Sequence, residues 1–317
     1  MNLRTMAWKL KDGTISLLPR RGRVLQVTVG GHEAFWVNPK WRGDWNVGGD
    51  RLWVAPEVAW CWKSLKGLDP DQYVFPKEMD PGHWKPARRG KMFCEVRQQI
   101  RLRQFQKRAV LNLAMARSIR AVDLPAAPFF RQHVAYRTDN DLWIRGGLAS
   151  QPVGLWSLIQ VPNGGEMIVP CRAKPVFRAY FNPVAPRLWG FSGRSLRFQI
   201  NGRDTYKVGV SPDVVTGQMA YVRRVGREFL VIHRTFFPQP WREYCDVPPT
   251  ALQTQGDAVQ IYNDGGALGG FGELEYHSPA IRAEAGDEHV ADTNLTVVGL
   301  VRDRDWREWK RHWLGER

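Results

Sequence analysis

Apolar and polar residues alternate along most of this 317-residue chain. A period of two places successive side chains on opposite faces of an extended strand, so alternation over four to eight residues indicates a half-buried strand. Thirty glycines and 21 prolines are scattered between such runs and supply turns. The clearest runs are Arg23–Val29, Leu142–Arg145, Gly165–Arg172, Ser195–Ile200, Glu228–His233, Ala258–Tyr262 and Thr293–Val301. The pattern predicts an all-β protein of short strands.

One helical pattern occurs, close to the C-terminus. Trp306, Trp309 and Trp313 follow the spacing i, i+3, i+7 and form one apolar stripe. Asp303 or Asp305 is in position to cap the helix that carries them. We expect this short helix to pack on the outside of a sheet.

The segment Val58–Arg89 has no period and mixes Trp60, Trp62 and Trp84 with four prolines. Loops of this length inside a compact domain are usually functional or disordered, and three tryptophans argue against disorder. The chain has no internal repeat and no Ser/Gly linker that would mark a boundary. We therefore expect a single domain over residues 1–317.

Forty-six Lys and Arg residues against 31 Asp and Glu give a net charge of +15, which suits a polyanionic partner. The basic residues are spread along the chain, however. The densest group predicts a strand with Arg97, Arg101 and Arg103 on one face and Ile100 and Leu102 on the other. We therefore expect no nucleic-acid partner, and an acidic sugar or polysaccharide stays an alternative.

Several functional classes lack their sequence signals. The four cysteines form no CxxC pair, the seven histidines show no HxH or HExxH spacing, and no GxSxG motif occurs. We expect no metal and no cofactor. The first residues never form the apolar core of a signal peptide, and no apolar run is long enough to span a membrane. The sequence thus predicts a cytoplasmic protein without a membrane partner, and leaves its oligomeric state open.

A glycine pair introduces the first candidate site, GGDRLWVAPE. Gly48 and Gly49 allow a sharp turn, and Asp50 and Arg51 then place a carboxylate and a forked donor side by side. A ligand-binding edge and an ordinary surface ion pair both explain this pattern.

The second candidate, GELEYHSP, alternates strictly. On a strand, Glu273, Glu275 and His277 share one face, with about 7 Å between successive members. If that face is recessed, burial and mutual repulsion raise one carboxyl pKa and permit acid–base catalysis. If it is exposed, the residues are a polar sheet surface. The glycines before this motif lead into a strand, not a helix, so they predict no phosphate loop.

The chain contains fifteen tryptophans. Most tryptophans of a β-sandwich belong to its core, but an indole ring also packs on the apolar face of a sugar while polar side chains bind the hydroxyl groups. Trp53 and Trp156 are the candidates for such a wall.

Taken in order, the blocks SLLPRRGRVLQVTVGGHEAFWVNP, GGDRLWVAPE, DPGHW, RSIR, LWSLIQVP, YKVGVSP and GELEYHSPAI resemble a bacterial branch of the galactose-mutarotase-like (aldose 1-epimerase-like) superfamily. They span nearly the whole chain. The resemblance implies an antiparallel β-supersandwich with a concave, sugar-binding face.

The resemblance also implies site residues. In this superfamily a late-strand glutamate is the general base, which corresponds to Glu275 or, second, Glu273. An arginine after an early turn corresponds to Arg51. The block that would carry the acid histidine, Leu155–Gln160, has none. His83, His277 or Lys207 are the candidates to replace it, and the expected substrate-binding residues are Asp50, Arg51, Trp53, His83, Trp156, Gln160 and Lys207.

Three functions agree with these observations. The first is a sugar 1-epimerase or a related carbohydrate-active enzyme acting on a mono- or oligosaccharide. The second is a carbohydrate-binding protein without turnover, favoured by the missing histidine. The third is a lyase for uronate-containing polysaccharides, which the basic charge would suit.

Overall fold

The structure, a computed structural model, describes residues 4–43, 45–66, 70–147, 150–252, 254–286 and 288–316. Within them the chain forms two antiparallel sheets of ten strands each. The all-β prediction is confirmed.

The first sheet carries the candidate site. Its strands, in spatial order, are β1 (Met6–Lys9), β2 (Gly13–Leu18), β3 (Arg23–Val29), β5 (Asp50–Ala55), β10 (Gly154–Pro162), β19 (Phe271–His277), β18 (Val259–Asn263), β15 (Tyr206–Val210) and β12 (Arg178–Ala179), with β4 (His32–Glu33) beside β3.

The second sheet covers the other face of the first. Its strands, in spatial order, are β13 (Trp189–Ser192), β14 (Ser195–Ile200), β11 (Gly165–Pro170), β16 (Gln218–Val225), β17 (Glu228–Thr235), β20 (His289–Arg302), β9 (Gln132–Gly147), β8 (Ala109–Val122), β7 (Phe93–Gln104) and β6 (Lys85–Gly90).

The core lies between the two sheets, because each strand directs every second side chain inward. Ile159 and Leu274 of the first sheet share one cluster of buried apolar side chains with Leu113, Ile232 and Val298 of the second. The alternation read from the sequence therefore predicts the strands well. β3 and β14 have the predicted bounds, and β7 exposes its three arginines while burying Ile100 and Leu102, as expected.

Two α-helices occur in the described residues. α1 (Glu57–Trp60) is a single turn that the sequence did not predict, and α2 (Trp306–Leu314) is the expected C-terminal helix. Trp309 of α2 packs against apolar residues of the second sheet's outer face, as predicted. Asp305 occupies the N-cap position, but its side chain makes no capping hydrogen bond. Neither helix is long and apolar enough to cross a membrane.

Candidate functional site

A cavity of about 540 Å³ opens on the face of the first sheet that points away from the second sheet. This volume lies within the range of small-molecule sites. Its floor is formed by β5, β10, β15, β18 and β19. It is lined by Trp45, Arg51, Trp53, Glu57, Trp62, Tyr73, Phe75, Trp156, Tyr180, Phe181, Asn182, Thr205, Lys207, Pro249, Tyr262, Asp264, Ala267, Leu268, Phe271 and Glu273.

Strand register explains how residues far apart in sequence meet on this floor. Arg51 lies opposite Leu158, which lies opposite Glu275, so the three side chains form one row across β5, β10 and β19. Two strand spacings put the Cα atoms of Arg51 and Glu275 about 10 Å apart. Glu273 and Lys207 belong to the next row, in which Tyr262 separates them. The predicted arginine and both glutamates therefore share one face.

Arg51 and Glu273 form a buried ion pair at the cavity surface. Nη2 of Arg51 donates to Oε1 of Glu273 at 2.5 Å, and the guanidinium lies 4.1 Å from the ring centre of Trp53. Nε and Nη1 of Arg51 have no hydrogen-bond partner in the described residues. Burial raises the pKa of Glu273, although the positive charge of Arg51 opposes that rise.

Lys207 lies between two carboxylates. Its Nζ is 2.9 Å from Glu57 and 3.4 Å from Glu275, and it is 4.5 Å from the ring centre of Trp156. Burial favours the neutral amine, but the charges of Glu275 and Glu57 outweigh it and raise the pKa of Lys207 above its ordinary value. Lys207 is therefore a cation at neutral pH.

Glu275 lies behind the cavity surface. Its side chain is fully buried, Oε2 accepts a 2.6 Å hydrogen bond from Nε1 of Trp156, and Oε1 has no partner in the described residues. Burial raises the pKa of Glu275 to about 8. Trp156 and Lys207, which contact it, line the cavity, whereas Glu275 does not.

Glu57 is a site residue that the sequence reasoning did not single out. It is the last residue of the GGDRLWVAPE motif and the first residue of α1, where the phenol of Tyr73 donates to its carboxylate. Its place in this candidate motif was the sequence signal that could have identified Glu57 as a site residue. Its partners Tyr73 and Lys207 become apparent only through the fold.

The sequence analysis also did not single out most of the aromatic residues that form the cavity walls. Trp62, Tyr73 and Phe75 come from the aperiodic segment that begins near Val58, and Trp45 stacks on Phe75 with ring centres 3.7 Å apart. Residues 67–69 of that segment lie outside the described residues. The aromatic content of the segment was the sequence signal for a functional role, and the structure places these three rings beside the floor of the cavity.

Asp50 does not reach the cavity, contrary to the expectation that it binds substrate. Neighbours on a strand point to opposite faces, so Asp50 lies between the sheets while Arg51 lies in the cavity. Its carboxylate accepts hydrogen bonds from Arg117 and Tyr136, both at 2.8 Å. Asp50 and Arg51 are thus not the surface ion pair that the motif also suggested.

Three further expected residues do not line the cavity. His83 is exposed, and its backbone N–H donates to the side chain of Gln98. Gln160 is buried, and its side-chain amide donates a hydrogen bond to the side-chain oxygen of Asn46 at 3.1 Å. The third residue is His277.

His277 is buried and stacks on Trp156, with ring centres 5.6 Å apart. Neither ring nitrogen has a hydrogen-bond partner in the described residues. Burial and the charge of Lys207 hold the pKa of His277 well below its usual range, so the ring is neutral. It lines a separate small cavity of about 160 Å³.

The local backbone requires the glycine pair that precedes β5. Gly48 and Gly49 have φ values of 102° and 82°, which favour glycine. A Cβ atom on Gly48 would lie 2.3 Å from the carbonyl oxygen of Trp36.

Among the residues that the structure describes, no group of three or more His, Cys, Asp or Glu side chains could hold a metal ion.

Comparison with solved structures identifies the fold. A putative aldose 1-epimerase from Escherichia coli K12 aligns over 94% of this chain and 99% of its own, with 9% sequence identity and a TM-score of 0.58. A galactose mutarotase-like protein from Lactobacillus casei ATCC 334 aligns over 93% and 99%, with 11% identity and a TM-score of 0.49. At 9% identity the similarity to the Escherichia coli protein is one of fold, and it confirms the mutarotase-like β-sandwich that the resemblance implied.

Comparison with curated proteins gives no match. A family described as a family of unknown function, DUF6786, matches residues 22–296, which is most of the chain. The chain therefore belongs to the DUF6786 family, whose member described here has the galactose mutarotase-like fold.

Proposed function

We propose that the cavity binds a neutral monosaccharide, or the end of a neutral oligosaccharide, and that the protein is a sugar 1-epimerase. The observation that carries this proposal is the composition of the cavity. Aromatic rings form its walls, and hydrogen-bonding charged groups are gathered on its floor. Rings pack on the C–H faces of a sugar, and a few convergent polar groups bind its hydroxyls.

The charge of the cavity favours a neutral sugar over an acidic one. Three carboxylates, Glu57, Glu273 and Asp264, line it together with two cations. Both cations, Arg51 and Lys207, are already paired with carboxylates. A uronate would bring another negative charge without an unpaired cation to receive it, so this composition speaks against a uronate lyase.

In the proposed reaction Glu273 is the general base. Its carboxylate accepts the proton of the anomeric hydroxyl while Lys207 donates a proton to the ring oxygen, and the bond between the anomeric carbon and the ring oxygen breaks. Rotation of the resulting aldehyde and the reverse proton transfers give the other anomer. Glu273 is preferred to Glu275 because it lines the cavity. Burial also raises its pKa above the ordinary value, which favours a general base.

A carbohydrate-binding protein without turnover is the second candidate. It is favoured by one observation, namely that no histidine is among the residues that line the large cavity. Lys207 would then only bind the sugar.

Saturation-transfer NMR against neutral, amino and uronic sugars tests binding, and exchange spectroscopy on the bound sugar tests anomer interconversion. We expect neutral sugars to bind and their anomers to exchange. Glu273→Gln should abolish exchange and keep binding. Glu275→Gln is the matched control, because it changes the same residue type two positions along the same strand face.

If Glu275→Gln abolished anomer exchange and Glu273→Gln did not, the general base would be Glu275. Binding without exchange in the unaltered protein would establish the second candidate. If no sugar in the panel bound, both candidates would be wrong.

A further inference from the structure

About half of the chain's net positive charge comes from one stretch, although basic residues occur throughout the sequence. Residues 85–112 contain nine Lys and Arg residues and one Glu, a net charge of +8 out of +15 for the whole protein. This stretch forms β6, β7 and the start of β8, at the edge of the second sheet. It is therefore not part of the first sheet, which carries the sugar cavity.

The basic side chains of this stretch are exposed, and most of them face outward together. Arg97, Arg101 and Arg103 alternate with buried residues on β7. Lys85 lies opposite Arg97 on the neighbouring strand, so it points to the same side. All nine basic side chains are exposed, and we call seven of them the basic face: Lys85, Arg88, Arg97, Arg101, Arg103, Lys107 and Arg108.

The one acidic residue of the stretch neutralises only part of this face. Glu95 is buried and pairs with Arg88 and Arg97. Arg101 and Arg103 have no carboxylate partner in the described residues, and the stretch from residue 99 to residue 112 contains no acidic residue at all. These cations remain available to an external anion.

Protection of a sheet edge does not account for this density of charge. Lysine and arginine on an edge strand discourage pairing with another chain, and β6 is such a strand. The opposite edge of the same sheet, β13 (Trp189–Ser192), carries no charged residue. Edge protection in this sheet thus does not require a run of basic residues on two strands and their turn.

The arrangement indicates the class of partner. Arginine forks bind carboxylates and sulfates through paired hydrogen bonds, and a strand repeats its outward side chains about every 7 Å. A flat row of this kind matches an extended polymer with regularly spaced anionic groups. Single-stranded nucleic acids also require aromatic rings for stacking. On this side of the sheet Phe93 is covered by Arg88 and Arg120, and Trp143 is stacked on His289.

We propose that the basic face binds an acidic polysaccharide. This binding is separate from the proposed epimerase activity and does not depend on it, because the two surfaces belong to different sheets. The attraction is electrostatic and therefore falls steeply with salt.

The test is the affinity of the full chain for a purified oligogalacturonate, measured by calorimetry over a series of salt concentrations. The triple variant Arg101→Gln, Arg103→Gln, Lys107→Gln should bind at least about tenfold more weakly. Its slope of log affinity against log salt should fall by up to about 2, at roughly 0.7 per lost contact for a single-stranded polyanion.

The matched control is Arg302→Gln, Arg304→Gln, Arg307→Gln. It removes the same charge from exposed residues before and within α2. It should bind like the unaltered protein, and Glu273→Gln should do the same. Circular dichroism would establish that each variant is folded.

Three results would overturn the proposal. The first is no oligogalacturonate binding at low ionic strength. The second is an equal loss in the control variant, which would mean that only total charge matters, or a loss in Glu273→Gln, which would place the polymer in the cavity. The third is tighter binding of single-stranded DNA with the same number of charges.

Discussion

The two faces of the first sheet each carry a buried charged cluster, and the clusters differ in how completely their hydrogen bonds are used. The inter-sheet cluster consists of Asp50, Arg117 and Tyr136, and the cavity cluster of Arg51, Glu57, Lys207 and Glu273. β5 contributes one residue to each, because Asp50 and Arg51 are neighbours on the strand and point to opposite sides.

In the inter-sheet cluster the ionic groups are largely satisfied by the protein. Arg117 donates to the carboxylate of Asp50 and to the backbone carbonyls of Gly22 and Asp50, and Tyr136 binds the second carboxylate oxygen. In the cavity cluster Arg51 uses one of its nitrogens and leaves two unpartnered. The first arrangement holds the two sheets together, and the second keeps donors for a ligand.

We expect the largest loss of stability from a variant that breaks the inter-sheet cluster. Arg117→Ala leaves Asp50 as an uncompensated buried charge, so the free energy of unfolding should fall by about 3–5 kcal/mol. Urea denaturation measures it. The double variant Asp50→Asn, Arg117→Met removes both charges and should recover much of the loss. A smaller loss for Arg117→Ala than for Arg51→Ala would contradict the contrast between the clusters.

The next effect concerns ligand binding. Arg51→Ala should weaken binding of the sugar identified by NMR by about 1.5–3 kcal/mol, the range for a hydrogen bond involving a charged group. Glu273 borders the cavity, where water can solvate it, so unfolding should be less affected than in Arg117→Ala. Titration calorimetry provides the measurement, and unchanged affinity would remove Arg51 from the binding site.

A third test uses pH. The carboxyl of Glu275 has a folded-state pKa raised from 4.5 to about 8. Between these values the folded state holds a proton that the unfolded state has lost, so this group lowers stability as pH rises. The slope is at most about 1.4 kcal/mol per pH unit. Glu275→Gln should therefore gain stability relative to the unaltered protein between pH 5 and pH 8. A constant difference across urea denaturations at several pH values would show that Glu275 does not titrate there.

The smallest effect is expected at an exposed ion pair. Arg137 and Asp139 pair on the outer face of the second sheet, with side chains 51% and 40% exposed. Arg137→Ala should change the free energy of unfolding by less than about 1 kcal/mol, since water and salt screen such pairs. A loss comparable to that of Arg117→Ala would mean that burial does not decide the contribution of these pairs.

Most of the fold follows from the sequence, because the period of two is a local property of each strand. The same alternation predicted that Glu273 and Glu275 share a face with His277, and all three point away from the core side of β19. Which of them reaches the cavity depends on Trp156 and Lys207, which come from other strands. Packing between strands that are far apart in sequence decides which carboxylate reaches the cavity, and a local pattern does not predict such packing.

The positions of Asp50 and His83 outside the cavity have a similar origin. A motif places residues near one another in sequence, but strand parity separated Asp50 from Arg51, and the side chain of His83 is exposed just before β6. Glu57 was missed for the converse reason, since its partners Tyr73 and Lys207 are distant along the chain. Pairings of this kind require the sheet register, which only the three-dimensional structure provides.

The aromatic wall has a consequence for how cavities of this fold can diversify. Trp62, Tyr73 and Phe75 belong to one covalent segment between β5 and β6, outside both sheets, whereas Arg51, Glu273 and Lys207 are fixed by strand pairing. Specificity for ligand size and the placement of the reactive groups are therefore encoded in separable stretches of sequence. Grafting a segment of another length after α1 would create a deeper or shallower cavity and would keep Glu57 and the strand residues of the floor.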